Sequence, residues 1–496
     1  MQPLSKISVA WLFVTLASQG YGGGEKLENS VLNLGVPFLP ETLDSLEVGS
    51  AIHHLILRHL TRPLVNLNKE GRVVGDLAES WEILEDHRVF RFKIRKAFWS
   101  DGTVIRARDV ADSINRGKKQ RKTVHSDFDQ IEAVTVESDS ALTIRLKEKS
   151  FNFLSTLRHP EMSLASTDGD APVGQQSLMV TPGPFFLSGR KQGALVLKKN
   201  TFYDRSISDS PDTVLIKSVP ADETLNVVAN GSVDIIPSSV KSDIGDHDFL
   251  VKQAGMVPFT FHMGFSFWIT CNVFTKQMKS LDNRRYVQSL LKPGVIDITS
   301  RSPVWTPSLQ LYLPDNAGRP NQKWLDEFWN SLKPERPEGF PAKLSLLVSE
   351  DFPFTKKISE QFKAQGIELE ITTYSTMGDF ARESRKSYDL IQINNDFSSL
   401  DVMSNLLVTF GEARPLIFTE KSSRLKQLMK NLNSEIDLEN RYPIYEEIAK
   451  EVLTGAYIAP IAYFNIVYYH RNNLDVSHWS RLFSDVSLWK VSIQKN

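Results

Sequence analysis

A single cysteine, Cys271, stands among 496 residues, which excludes an intramolecular disulfide and any thiolate cluster of the zinc-finger kind. Set in an apolar stretch, it reads as a small buried hydrophobe before a reactive thiol. An excess of charge is also lacking. The 58 Lys and Arg are balanced by 59 Asp and Glu, so no overall field draws the chain to nucleic acid or an anionic membrane. The basic run Lys118–Lys122 then reads as a solvated surface loop. No apolar run provides the ~20 residues a membrane-crossing helix needs. The richest internal stretch, Phe259 to Phe274, is interrupted by His262, Ser266, Thr270 and Asn272 and reads as buried strand. Nucleophile elbows, H-E-x-x-H helices and phosphate loops are missing as well. Asp396 and Asp401 are a carboxylate pair that could serve as acid and base in a secreted hydrolase. Beside Asn394, Asn395 and two serines they read more simply as unshifted surface groups. His53, His54 and His59 fall on one helical stretch, but His54 and His59 are five apart and miss a common face, so no metal is expected from that helix.

What is present starts with an export signal. Met1 to about Gly22 carries Lys6, an apolar run from Ile7 to Ala17, and small residues Ala17, Ser18 and Gly20 before a glycine triplet, the layout of a cleaved secretory leader. No cysteine lies near the cleavage region, so no lipid anchor is expected. With 41% hydrophobic residues there is material for large cores, and at ~150 residues per domain the length suggests about three compact bodies or two large lobes.

The stretch Leu60 to Gly117 is the clearest local signal. Trp81 and Ile83, then Phe90, Phe92 and Ile94, are apolar at alternate positions with charged residues between them, which predicts a hairpin turning at Glu85–Arg88. Asp101-Gly102 predicts a second turn, and Ala107, Val110, Ala111 and Ile114 predict a short amphipathic helix. Elsewhere, Val31–Val36 reads as a buried strand and Leu46–Leu60 as a helix. Gln130–Lys147 reads as a strand pair, and 344–371 as a strand, helix and strand whose order implies a right-handed parallel crossover. Ser387–Ile391 reads as a strand followed by a loop, Gln392 to Asp401. Arg441–Tyr463 reads as a helix and a strand.

Several separated pieces of this pattern resemble the extracytoplasmic solute-binding proteins of family 5, the oligopeptide and dipeptide receptors of ABC importers. They are Thr42-Leu43-Asp44; Leu77-Ala78-Glu79-Ser80-Trp81; the basic strand through Arg95; Asp101-Gly102; Ala107-x-Asp109-Val110; Gly231-x-Val233-Asp234-Ile235; and the strand ending at Tyr463. Arg106 replaces a usual Thr cap, and Thr181-Pro182-Gly183 replaces a Gly-Thr-Gly lead. The resemblance implies an α/β, two-lobe periplasmic-binding-protein fold of type II (Venus-flytrap) with an extra subdomain in the N-terminal lobe. It places residues 30–270 with 465–496 in lobe I, 61–180 as the subdomain, and 271–464 in lobe II. It further implies a periplasmic monomer without cofactor or reaction. Such a protein would bind a peptide or other small molecule and deliver it to an inner-membrane ABC permease. A member of this family used for signalling or adhesion stays open.

In that family the peptide ammonium meets an Asp on a W-x-x-D-Y-x-D-P loop. The corresponding stretch here is Asn394–Asp401, with Asp396-Phe397 matching Asp-aromatic but the Trp and Pro missing. Asp396 is the expected cation partner, with Asn395 beside it. Phe38, Trp268, Asn272 and Tyr463 are expected where the lobes meet, supplying ring surface and hydrogen bonds. Core packing is the competing role for Phe38, Trp268 and Tyr463, and a turn at the hinge for Asn272.

Overall fold

A computed structural model describes residues 30–494, apart from 48–49, 69–71, 121–125, 152, 167–177, 239–243, 299–303, 314–315, 376, 385–386, 397–401, 411–421, 436 and 480–485. The expected leader and part of Lys118–Lys122 lie outside the described residues. No described helix is long and apolar enough to cross a membrane.

One sheet of eleven strands runs through the molecule. Its centre is a pair of long antiparallel strands, Met256–Cys271 and Ile458–Arg471. On one side of this pair follow Ile235–Pro237, Val31–Val36, Thr213–Ser218, Ala194–Lys199 and Phe185–Lys191; on the other follow Leu390–Asp396, Lys343–Ser349 and Glu368–Tyr374. Trp305–Pro307 adds to Ile458–Arg471 near its middle. The chain therefore builds two α/β halves joined by two shared strands. The first half pairs with Tyr468–His470, in the segment Ile466–Arg471 whose other partner is Met256–Phe261. The second half pairs with Phe265–Cys271 and its partners Ile458–Phe464.

Between these segments the register shifts: Phe261 faces Ile466 and Phe265 faces Phe464, so residues 262–264 together oppose Asn465. Extra residues on one strand bend it and increase its twist. The first crossing strand thus changes partners at 262–264, ahead of the expected boundary at residue 270. Strand Ile458–Arg471 also continues well past Tyr463, where the sequence pattern had ended it. Its later residues Ile466, Val467, Tyr468 and Tyr469 are apolar or aromatic on both faces, as a central strand buried on both sides requires.

A separate four-stranded sheet is formed by Ala78–Leu84, Val89–Ile94, Ala141–Leu146 and Ile131–Ser138. Trp81 pairs with Phe92 and Ile83 with Phe90, as alternation predicts. The turn needs positive φ at Glu85, Asp86 and His87. Helix Ala107–Gln120 packs Val110 and Ile114 onto this sheet. Arg106 cannot cap it with a side-chain oxygen, yet its backbone N–H donates to Asp109 Oδ2 at 2.8 Å, keeping half of a reciprocal capping arrangement.

The first long helix starts at Ala51, later than the hydrophobic period implies, because Ser50 Oγ accepts from His53 N at 3.1 Å and sets the start. Thr181-Pro182-Gly183 is fixed from several sides. Thr181 Oγ1 donates to the Phe185 carbonyl at 2.6 Å, and Asn200 Nδ2 to the Gly183 carbonyl at 2.9 Å. A Cβ on Gly183 would lie 2.7 Å from the His59 carbonyl oxygen, so glycine is retained there for close backbone approach. Cys271 is buried, and burial pushes its thiol up to about 12, which removes the thiolate that reactivity needs.

Candidate functional site

Strand direction marks the hinge as the candidate site. In the first half, Val31–Val36 is parallel to Thr213–Ser218 and to Ile235–Pro237, with Val36 opposite Ser218. Ile235 faces His470 and Pro237 faces Tyr468, so these strands point their carboxyl ends down Ile458–Arg471 toward Asn465. In the second half, Leu390 faces Cys271 and Asp396 faces Phe265, and Lys343–Ser349 and Glu368–Tyr374 run parallel to this strand. Their carboxyl ends point at the same place from the opposite side. Open α/β sheets hold ligands outside the carboxyl ends of their strands. Here two such edges converge on 262–264 and Asn465.

Of the residues the sequence nominates, Phe38 lies two positions beyond Val36 at the first edge and is 47% exposed. Asn395 and Asp396 are the last two positions of Leu390–Asp396, in register with Ser266 and Phe265. The sequence predicts a loop at Gln392–Asp396; the structure makes them strand. Glutamine, asparagine and aspartate disfavour strands, but seven consecutive pairs with Phe265–Cys271 override that preference. Gln392 Oε1 also accepts from Ser349 N at 3.1 Å. The rest of the expected acidic loop, 397–401, lies outside the described residues.

Trp268 is 0% exposed and sits in the core of the second half. Tyr463 is buried in the same core. Its hydroxyl donates toward the Gln310 carbonyl at 3.4 Å, and burial raises its phenol to about 12. Alternation explains both. Even-numbered positions of Met256–Cys271 beyond the hinge face this core, whereas Phe265 and Phe267 face the other side. Trp268 and Tyr463 thus pack beneath the converging strand ends and show them little ring surface.

Asn272 lies away from the expected meeting of the lobes. It follows the crossing strand at its end remote from the hinge, about 23 Å from Phe265 at ~3.3 Å per residue. There its Nδ2 donates to the Tyr388 carbonyl at 2.9 Å and its Oδ1 accepts from Phe274 N at 3.1 Å. This is a turn-forming asparagine.

Two groups escaped the sequence reading. Phe267, Trp305, Phe352 and Phe464 form an aromatic cluster near the second edge, of which only Phe267 is half-buried and the other three belong to the core. Phe267 stacks on Phe352 at 5.8 Å and meets Trp305 edge-on at 5.2 Å, and Trp305 tilts against Phe464 at 5.0 Å. The alternation Phe265, Phe267 was the available signal; their convergence with Phe352 was not legible. The second group is polar. In the row Asn395, Ser266, Tyr463, Thr306, Ser266 Oγ and the nearby Gln310 Oε1 are buried without hydrogen-bond partners among the described residues. Buried polar atoms of this kind call for a partner. Exposed Phe38 and half-buried Phe267 near the converging strand ends offer ring surface for the apolar parts of a solute.

Comparison with known proteins bears on the family and the fold. A family model described as bacterial extracellular solute-binding proteins, family 5 Middle, matches residues 72–414. The dipeptide-binding protein DppE of Bacillus subtilis is 21% identical over 458 residues, 83% of this chain and 82% of that protein. Relatives in Brucella species named for ABC-transporter peptide binding match at 32% identity over 105 residues, only 20% of either length. Among solved structures, the unliganded open form of the periplasmic murein tripeptide binding protein MppA superposes with TM-score 0.76 at 17% identity, covering 95% of this chain and 98% of that one. NikA from Brucella suis in complex with Fe(III)-EDTA superposes with TM-score 0.77 at 17% identity, covering 94% and 100%. These likenesses establish the two-lobe type II fold.

Proposed function

Because the chain belongs to the bacterial extracellular solute-binding proteins of family 5, we propose that it is an exported, periplasmic receptor that takes up oligopeptides or a similar small solute and hands them to an inner-membrane ABC permease. It works as a monomer and leaves its guest chemically unchanged. The observation that carries this reading is the convergence of both sets of strand carboxyl ends on residues 262–264 and Asn465.

Capture follows from closing the two halves on the guest, with affinity set by how much better the closed form holds it. Asp396, at the strand end opposite Phe265, takes the ligand's ammonium. Phe38 and Phe267, exposed and half-buried at the two edges, cover its apolar parts. Asn395, Trp268 and Tyr463 hold the second edge in register. Asn272 acts at a distance, by fixing the far end of the crossing strand.

Native mass spectrometry of the protein purified from its host tests the proposal. The expected result is a bound mass in the peptide range that exchanges with added peptide pools. Apo protein alone, with no thermal shift across those pools, would overturn the peptide assignment. Conversion of the guest to a new product would overturn the receptor reading itself.

A further inference from the structure

Helix Ala51–Leu60 carries His54. His159 immediately precedes the tight turn Pro160–Met162, which contains Glu161. Far apart in sequence, the two segments are locked together where Arg62 and Leu164 exchange backbone hydrogen bonds of 2.9 Å each. One ligand atom from each of His54, His159 and Glu161 falls within 4.8 Å of the others. His54 Nε2 stands 3.9 Å from Glu161 Oε2, and the two imidazoles meet edge to face with centroids 6.0 Å apart. Glu161's side chain is 1% exposed and that of His54 30%, so a buried carboxylate stands beside a partly exposed imidazole.

We propose that these three side chains form a transition-metal site of the zinc class, separate from the candidate site at the hinge and independent of what that site binds. Two neutral imidazoles and one carboxylate suit Zn²⁺ and its divalent neighbours, whereas Mg²⁺ and Ca²⁺ prefer oxygen alone. Metal–ligand bonds of about 2.0–2.2 Å require the three atoms to draw together by about 1 Å, within reach of side-chain rotation. Three protein ligands leave a fourth position for water on the His54 side. The sequence hid this set because His54's partners lie about a hundred residues away. Its structural consequence is a clip. The turn also bears on the subdomain helix Ala107–Gln120, whose Ser113 Oγ donates to the Ser163 carbonyl at 3.0 Å. Metal would therefore fasten the first long helix to the segment on which the subdomain rests.

The test uses the full chain freed of metal by chelator and titrated with zinc chloride, followed by native mass spectrometry and thermal melting. One zinc per chain and a raised melting temperature are expected. His159→Ala and Glu161→Gln should each weaken binding at least about tenfold and abolish the rise, while His478→Ala, an exposed control, should not. Wild-type protein that takes up no zinc, or His159→Ala binding it as well as wild type, overturns the proposal. Should either variant misfold, cobalt(II) on the wild-type chain decides. Strong visible bands of a four- or five-coordinate ion support the site; the weak spectrum of hydrated cobalt counts against it.

Discussion

Ser238 and Val467 are joined twice: the Ser238 N–H donates to the Val467 carbonyl at 2.6 Å, and the Val467 N–H donates to Ser238 Oγ at 3.2 Å. The pair ties the end of Ile235–Pro237 to the second crossing strand just beside Asn465. Ser238→Ala removes one of these bonds and should cost about 1 kcal/mol. Ser238→Pro also removes the backbone donor and should cost clearly more. Urea unfolding of both variants checks the order; equal midpoints would mean that the backbone bond contributes nothing.

Arg62 is fully buried. Its Nε donates to Asp76 Oδ1 at 3.1 Å and its Nη2 to Asp204 Oδ1 at 2.6 Å. Asp76 is buried with it, whereas Asp204's side chain is 44% exposed. Removing one partner of a buried pair strands the other charge. Asp76→Ala should therefore lose about 3–5 kcal/mol, and Asp204→Ala distinctly less. Chemical denaturation that ranks the two the other way would contradict this account of the network.

His53 and His470 are both buried, and desolvation lowers the pKa of each despite Asp44 beside the first and the Arg471 carbonyl beside the second. The unfolded chain takes up protons near ~6.5, before the folded chain does. Their contribution is thus present above that pH and is lost as pH falls toward the lower folded values. Melting temperature should drop from about pH 7 to pH 5, and His470→Asn should flatten part of that slope. A series of melts across this range reads both; an unchanged slope in the variant would refute the role of His470.

Asp396→Asn should weaken binding of free-amine peptides by about tenfold to a hundredfold, the loss of a charge-assisted bond of about 1.5–3 kcal/mol. Peptides acetylated at the N-terminus should bind the variant and the wild type alike. Isothermal titration with matched peptide pairs measures both, and an equal loss for acetylated peptides would remove Asp396 from contact with the ammonium.

How much was legible depended on whether the determining forces were local. The hairpin through Trp81 and Phe92 and the helix through Val110 and Ile114 follow from period alone and stand where expected. Gln392–Asp396 did not, because its strand conformation is imposed by pairing with Phe265–Cys271. Trp268 and Tyr463 lie beside the converging edges, yet only the direction in which each strand alternates decides that their rings face inward. Asn272 was misplaced for a related reason: the chain changes halves within its strand, at 262–264, and not at its end. His159 and Glu161 were invisible as partners of His54, since no short-range spacing connects them.

The late strand Ile458–Arg471 is the missing neighbour of Ile235–Pro237: Ile236 has no complete ladder until Tyr469 has been synthesised. The N-terminal half is thus held back from locking into shape while the ribosome is still working. Closing so long a loop is slow, and a slow start keeps a polypeptide threadable. A member of an extracytoplasmic family gains from an architecture that postpones its own completion.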